Sequence, residues 1–446
     1  MLDPVTFALI LAGAIIVIGF LGNYLFERTG LPEMLFLIVL GMLVGPLTGL
    51  IDASSVMGFA PYLAALALVF ILFDGGMTMN IYHVFSESPR AAVLAATGFA
   101  SSATVTSLIM YFTVIPGESP LYSILFGTIL GGSSSIIVMS LASRIKLSER
   151  SSTILSLESA INDILCIVLS LVIIEIIVFK GAVDLTTIAK SVASRFSIGA
   201  MLGIIVGIGW LSILRRIVKT TYSYMLTLGI ALLSYAISEF LGGSGALCSL
   251  LFGIMLGNEK EIYGILRMKK PANHVVDAGL KRFESEMAFL LRAFFFVYMG
   301  LIATAINVQN VVIGITLAFS LLLIRFGAVR LATMRSELIQ DRPIMSVLLT
   351  RGLASAVLAT LPLQYADIAK YPDVGGTFQR LSPVYINTAV IVILATAIIA
   401  TVGIPLLRWK TQKKQSQHIP ETNESSEEKS SSRNRKTRHL TKEDWT

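Results

Sequence analysis

The sequence predicts an all-α polytopic membrane protein of about thirteen transmembrane helices. Three observations predict it. Apolar residues make up 54% of the chain and charged residues 14%, with a mean hydropathy of +0.77, a balance far from that of a soluble domain. Apolar runs suited to a hydrocarbon core about 30 Å thick recur along almost the whole length. One of these runs contains Glu158-Ser159-Ala160-Ile161-Asn162-Asp163, a cluster at a depth where charge is expensive and marks function.

The runs cover residues 5–26, 31–51, 56–79, 90–113, 119–143, 151–179, 195–214, 222–240, 242–257, 287–304, 310–329, 342–366 and 385–409. The first lacks a basic leader and a small-residue cleavage site, so it reads as a retained helix. An odd number of crossings puts the two termini on opposite sides. Lys and Arg gather on the side of the carboxyl terminus, among them Arg144, Lys146, Arg150, Arg215, Arg216, Lys219, Lys269 and Lys270. The other side holds Lys180, Lys190, Arg195, Lys370 and Arg380. The positive-inside rule therefore predicts an outer amino terminus and a cytoplasmic carboxyl terminus in the cytoplasmic membrane.

Residues 258–287 form the longest inner connection and mix Lys and Arg with Ile262, Leu266, Val275 and Leu280, the pattern of an amphipathic helix on the inner surface. His274 within it reads as a solvated loop residue. Residues 1–410 make the transmembrane domain, and residues 411–446, rich in Ser, Glu, Lys and Arg, read as a disordered cytoplasmic tail. The tail is too short for a nucleotide-binding regulatory domain, and no G-x-G-x-x-G follows a strand. Cys166 and Cys248 stand in apolar runs as small buried thiols, with no disulfide framework or multidentate metal site implied.

On a helix Glu158 and Asn162 are four residues apart, as are Ser159 and Asp163, so the two pairs form adjacent polar stripes that line a cavity. Counting rise per residue, Glu158 lies about 10 Å below the inner surface and Arg325 about 8 Å, so the two can pair. Arg351, about 13 Å deep, can reach Glu158 or Asn162 instead. Each arginine needs a partner at such a depth. Asp74, in Phe73-Asp74-Gly75-Gly76, lies about 8 Å from the inner side, as a funnel residue or an interfacial one. Arg292, nearer the end of its run, reads as a snorkelling residue outside the site.

Two runs are internally broken. One contains Gly131-Gly132-Ser133-Ser134-Ser135, whose hydroxyls and freed carbonyls can ligate a dehydrated cation at roughly the depth of Asp163. The other contains Arg351-Gly352 and then Leu361-Pro362, where the proline removes a backbone hydrogen bond in mid-run. They are the fifth and twelfth runs, the spacing expected of two six-helix repeats of inverted topology around one extra helix. Paired interrupted helices point to an ion site near the midplane. A cation channel would show repeated pore segments or a carbonyl filter, and neither is present. An intramembrane hydrolase using the serine run would need a histidine base, and the four histidines fall at 83, 274, 418 and 439, in expected loops or the tail.

Taken together, Glu158-Ser-x-x-Asn162-Asp163, Leu31-Pro32 opening a run that ends Gly41-x-x-x-Gly45-Pro46, Leu72-Phe73-x-Gly75, and Arg351-Gly352 after Arg325 resemble the monovalent cation/proton antiporter superfamily. The resemblance covers residues 5–410, and the Asn-Asp pair points to its NhaP-like, sodium/hydrogen exchanger branch. It implies the antiporter fold with crossed discontinuous helices, and electroneutral exchange of one cation, Na+ first, for one proton. A K+/H+ antiporter of the Kef-like type is the alternative. The resemblance also implies that Asp163 binds cation or proton, that Glu158 pairs with an arginine, Arg325 by position, and that Asn162 steadies the pair. The candidate cation ligands are then Asp163, Ser159, Ser133, Glu158 and Asn162. Where family members place Thr-Asp-Pro in the broken helix, this chain reads Ser133-Ser134-Ser135. A homodimer with a rigid dimer domain and a moving core domain is implied as well, and a role in pH homeostasis.

The exchange logic stands on the residues alone. A cation and a proton compete for one poorly solvated carboxylate, Asp163, and only the neutralised site crosses the apolar barrier, so the two fluxes are coupled. Asn162 adds no second titrating charge. No cofactor and no nucleic-acid partner is expected; the substrates are a cation and a proton, and the surroundings are lipid.

Overall fold

The computed structural model describes residues 3–52, 56–78, 88–134, 137–138, 141, 145, 147–178, 185–217, 222–265, 276–303, 308–334 and 337–416. Ser135, the four histidines and the tail beyond 416 lie outside the described residues. The described chain is helical. In order the helices are α1 (Pro4–Thr29), α2 (Glu33–Met42), α3 (Ala60–Thr78), α4 (Ser88–Thr113), α5 (Pro120–Ile129), α6 (Glu149–Val178), α7 (Leu185–Ile217), α8 (Ser223–Phe240), α9 (Gly245–Gly257), α10 (Glu259–Ile265), α11 (Ala278–Ile302), α12 (Val308–Ala332), α13 (Arg342–Val347), α14 (Leu353–Thr360) and α15 (Gly375–Ser416). A π-helical turn, Leu43–Leu47, extends α2, and a 3-10 turn, Leu361–Tyr365, follows α14.

Eight of the described helices are long and apolar enough to cross a membrane, and five shorter apolar ones stand between them in sequence. Each of the thirteen expected runs overlaps one of these. The chain is a multi-pass membrane protein. Local chemistry sets several ends: the Asp3 carboxylate accepts the Thr6 N–H before Pro4 opens α1, and Gly30, at φ 81°, closes it. Ser119, Ser244 and Asp277 cap α5, α9 and α11 in the same way.

Two expectations are corrected here. The inner connection 258–287 is not one surface helix: α10 occupies its start, and α11 begins at Ala278, nine residues before the expected run, because the Asp277 side chain caps it there. Pro362 does not break its run in the middle. It stands where α14 gives way to the 3-10 turn Leu361–Tyr365 without leaving helical geometry, and the full interruption lies at residues 348–352.

Residues 1–401 form one compact unit and 402–446 another, whose described part is the end of α15. Within the first unit the helices pack in two groups. One comprises α1, α2, α3, α7, α8, α9 and α11; the other comprises α4, α5, α6, α12, α13 and α14, with the part of α15 up to residue 401 packed on α5. Glycines set the tightest contacts of the first group: a Cβ at Gly41 would collide with the Val297 carbonyl, and one at Gly300 with the Ile38 carbonyl. Gly76 and Gly253 do the same between α3 and α9, so backbones touch where larger residues would hold them apart. The seam between the groups, where α6 and α14 meet α3, α7 and α11, is more thinly packed.

Candidate functional site

Helix α6 carries Glu158, Ser159, Asn162 and Asp163 within two turns. Its polar side meets the first interruption, which follows α5 where the chain leaves helical geometry at Gly131–Gly132 and runs without regular structure through Ser133 and Ser134. A Cβ at Gly132 would lie 2.8 Å from both Asn162 Cβ and Cys166 Sγ, so the absence of a side chain lets this backbone rest on α6. Ser133 Oγ then stands 3.1 Å from Glu158 Oε1, to which it donates, and 3.1 Å from Ser159 Oγ.

The second interruption meets the first. The Ser134 N–H donates to the Thr350 carbonyl at 2.7 Å, and Gly352 abuts the Ser134 side chain with no room for a Cβ. Arg351 is buried beside this contact. Its backbone N–H donates to Thr396 Oγ1 at 3.1 Å, and its guanidinium reaches the Leu349 carbonyl at 3.4 Å. Arg351 therefore does not pair with Glu158 or Asn162, contrary to the second option read from depth.

Glu158 pairs with Arg325 of α12 instead. Nη1 donates to Oε1 at 2.7 Å and Nη2 to Oε2 at 2.8 Å, a bidentate fork between side chains 6% and 0% exposed. Arg325 Nε donates to the Met345 carbonyl in the last turn of α13 at 3.3 Å. Arg325 thus places positive charge at the carbonyl end of α13, where the helix dipole favours it. Glu158 Oε1 also accepts Asn162 Nδ2 at 2.6 Å, and the same amide reaches Ser133 Oγ at 3.3 Å. Asn162 Oδ1 is buried with no hydrogen-bond partner, an acceptor left over in the cluster. Asp163 is half-buried and within electrostatic reach of Cys166 one turn on. Ser133, Ser159, Asn162 and Asp163 thus supply hydroxyl, amide and carboxylate oxygens of the hard kind that a monovalent cation takes.

Two cavities flank this cluster along the seam. One, of about 70 Å³, is lined by Glu33, Arg292, Phe296, Ser134 and Leu353, with Arg292 Nε 2.9 Å from Glu33 Oε1. The other, of about 190 Å³, lies toward the far end of α6 and is lined by Glu175, Arg195, Glu239, Val357 and Tyr365, with Arg195 ion-paired to Glu175 across the seam. Asp74 is absent from the described lining of both; it is half-buried on α3 within electrostatic reach of Arg292. Sequence reasoning missed the Glu33–Arg292 and Glu175–Arg195 pairs. A charge near a run's end was read as snorkelling, and only its partner, 259 or 20 residues away, shows that it lines a cavity.

A profile of the family described as "Sodium/hydrogen exchanger, transmembrane" matches residues 12–410. The chain belongs to the sodium/hydrogen exchanger family. Similar relatives include the "K(+)/H(+) antiporter NhaP2" of Shewanella sp. strain ANA-3, 28% identical over 351 residues, covering 76% of this chain and 57% of that protein. The "K(+)/H(+) antiporter NhaP" of Alkalimonas amylolytica is 24% identical over 421 residues, 92% of this chain and 67% of that one. The "Na(+)/H(+) antiporter 1" of Methanocaldococcus jannaschii is 25% identical over 304 residues, 65% of this chain and 66% of that one. This exchanger-family chain thus spans little more than half the length of the Shewanella relatives. The solved structure of the sodium proton antiporter MjNhaP1 from Methanocaldococcus jannaschii at pH 8 superposes with a TM-score of 0.72 at 22% identity, covering 90% of this chain and all of that one. The fold is that of the exchanger family.

Proposed function

We propose that this protein is a secondary transporter exchanging a monovalent cation for a proton, one for one, with both competing for Asp163. The observation that carries the reading is the cluster of Ser133, Ser159 and Asn162 where two interrupted helices meet, on the same stretch of α6 as Asp163. Cation ligands come from Asp163, Ser159, Ser133 and the spare Asn162 Oδ1. Glu158 acts as an anchor rather than a ligand, since donors from Arg325, Asn162 and Ser133 already occupy its oxygens. The two cavities on the seam are the alternating routes to the site, and the second packing group moves against the first to close one and open the other.

Na+ is the cation we assign from this compact set of hard oxygen donors. K+ is the second reading, favoured by the activity for which the Shewanella and Alkalimonas relatives are named. We further assign the protein to the cytoplasmic membrane as a homodimer, amino terminus outside, with residues 1–410 as the transport domain and 411–446 as a cytoplasmic tail. The test is purified protein in liposomes carrying an internal pH dye, challenged in turn with Na+, K+ and Li+. Cation-driven proton efflux supports antiport and its order gives the selectivity; no pH change with any of the three would overturn the reading.

A further inference from the structure

Three acidic side chains are buried among the described residues: Glu158, Glu259 and Glu284. Glu158 holds Arg325, Asn162 and Ser133, and Glu259 accepts the Val276 N–H at 2.8 Å. Glu284, on α11 and 1% exposed, has both carboxylate oxygens buried with no hydrogen-bond partner. A carboxylate anion in that position lacks every compensation that makes burial of charge tolerable. A neighbouring charge makes matters worse: Asp74 on α3, which packs against α11, lies within electrostatic reach and has the same sign.

Among the described residues, the charged and titratable groups facing α11 from the elements packed on it give Glu284 no cation. On α2, Glu33 is taken by Arg292. On α1, Arg28 stacks over Tyr24. On α8, Tyr224 donates to Asp277 at 2.7 Å. The π-helical turn and α14 present none among the described residues. On α11 itself, Arg282 is paired with Glu286 at the exposed surface, and Lys281 is exposed too.

We propose that Glu284 and Asp74 form a second proton-binding site, with the proton carried on Glu284. A proton removes the uncompensated charge and leaves one hydroxyl donor for Asp74 or a water to accept. Both residues lie in the packing group that lacks Asp163, so this proton is held by the scaffold and is not exchanged cargo. Its loss would put two like charges between α3 and α11 and draw Arg292, within reach of Asp74, away from Glu33 at the cavity that touches Ser134. Under the antiport reading, on which this consequence alone rests, the site sets the pH at which that cavity opens.

The test uses infrared spectroscopy on the purified full chain. At neutral pH the carbonyl band of one protonated carboxyl group should vanish in Glu284→Gln and persist in Asp163→Asn. A spectrum unchanged by Glu284→Gln overturns the site. In Asp74→Asn the band should titrate away at lower pH, since the neighbouring charge that favours protonation is gone; an unmoved midpoint removes Asp74 from the proposal. As a control independent of spectroscopy, the melting temperature of the parent should fall relative to Glu284→Gln as pH rises, because unfolding releases the proton. Parallel melting curves count against the site. None of these readouts requires exchange, so their failure and a failure of the antiport reading are separate results.

Discussion

Arg325 and Glu158, 167 residues apart in sequence, meet through two parallel hydrogen bonds of 2.7 and 2.8 Å with almost no access to solvent. The pair ties α12 to α6 one turn from Asp163, and through Arg325 Nε it holds the end of α13 as well. Removing one partner strands the other charge, an effect of about 3 to 5 kcal/mol. Glu158→Ala and Arg325→Ala should each lower the melting temperature in detergent, and the double variant should lose less than the two singles added. Additive losses would show that the pair contributes nothing as a unit.

Arg351→Ala supplies the contrast. Its guanidinium bonds the Leu349 carbonyl and feels Glu158 only through space, so its coupling with Glu158→Ala in a double-variant cycle should be smaller than that of Arg325→Ala. A coupling as large as that of the Glu158–Arg325 pair would contradict the geometry.

Asp163→Asn keeps the shape of the side chain and removes its charge. Exchange in liposomes should fall below about a tenth of the parent rate while the melting temperature holds, because Glu158, the other carboxylate of the cluster, is already held by Arg325, Asn162 and Ser133. Retained exchange would move the ion site elsewhere.

Asn162→Asp should not simply convert the protein to a two-proton exchanger. The Asn162 amide donates to Glu158 at 2.6 Å and to Ser133 at 3.3 Å, and a carboxylate there would face Glu158 as a like charge. Both hydrogen bonds would be lost, so stability should drop by about 1 to 3 kcal/mol, more at alkaline than at acid pH. A variant as stable as the parent at pH 8 would show that Glu158 is not held as described.

With Asn162 neutral, one cation in balances one proton out and the cycle moves no net charge. A membrane potential, worth about 2.3 kcal/mol per charge at 100 mV, should then leave the steady cation gradient unchanged. The measurement is a valinomycin-imposed potassium diffusion potential on Na+-loaded vesicles at fixed pH difference. A gradient that follows voltage would mean more than one proton per cation.

The sequence by itself determined what is local and repetitive. Run length against bilayer thickness located the membrane helices, because each helix satisfies its own backbone and has to be apolar to lie in lipid. The four-residue spacing put Glu158 with Asn162 and Ser159 with Asp163, because one helical turn brings i and i+4 together whatever the rest of the chain does. The glycine-serine run marked the first interruption because those residues hold a helix poorly. What only the tertiary structure decided is which groups meet across helices. Counting residues gives depth along the membrane normal but no direction around it, so Arg325 at about 8 Å and Arg351 at about 13 Å were both admissible partners for Glu158 until the packing of α12 turned one of them toward it. The same missing angle hid Arg292 from Glu33, and Glu284 fell outside the expected run because α11 begins nine residues before it. Whether a carboxylate near a helix end faces water, an arginine or nothing is a property of its neighbours, and these come from distant parts of the chain.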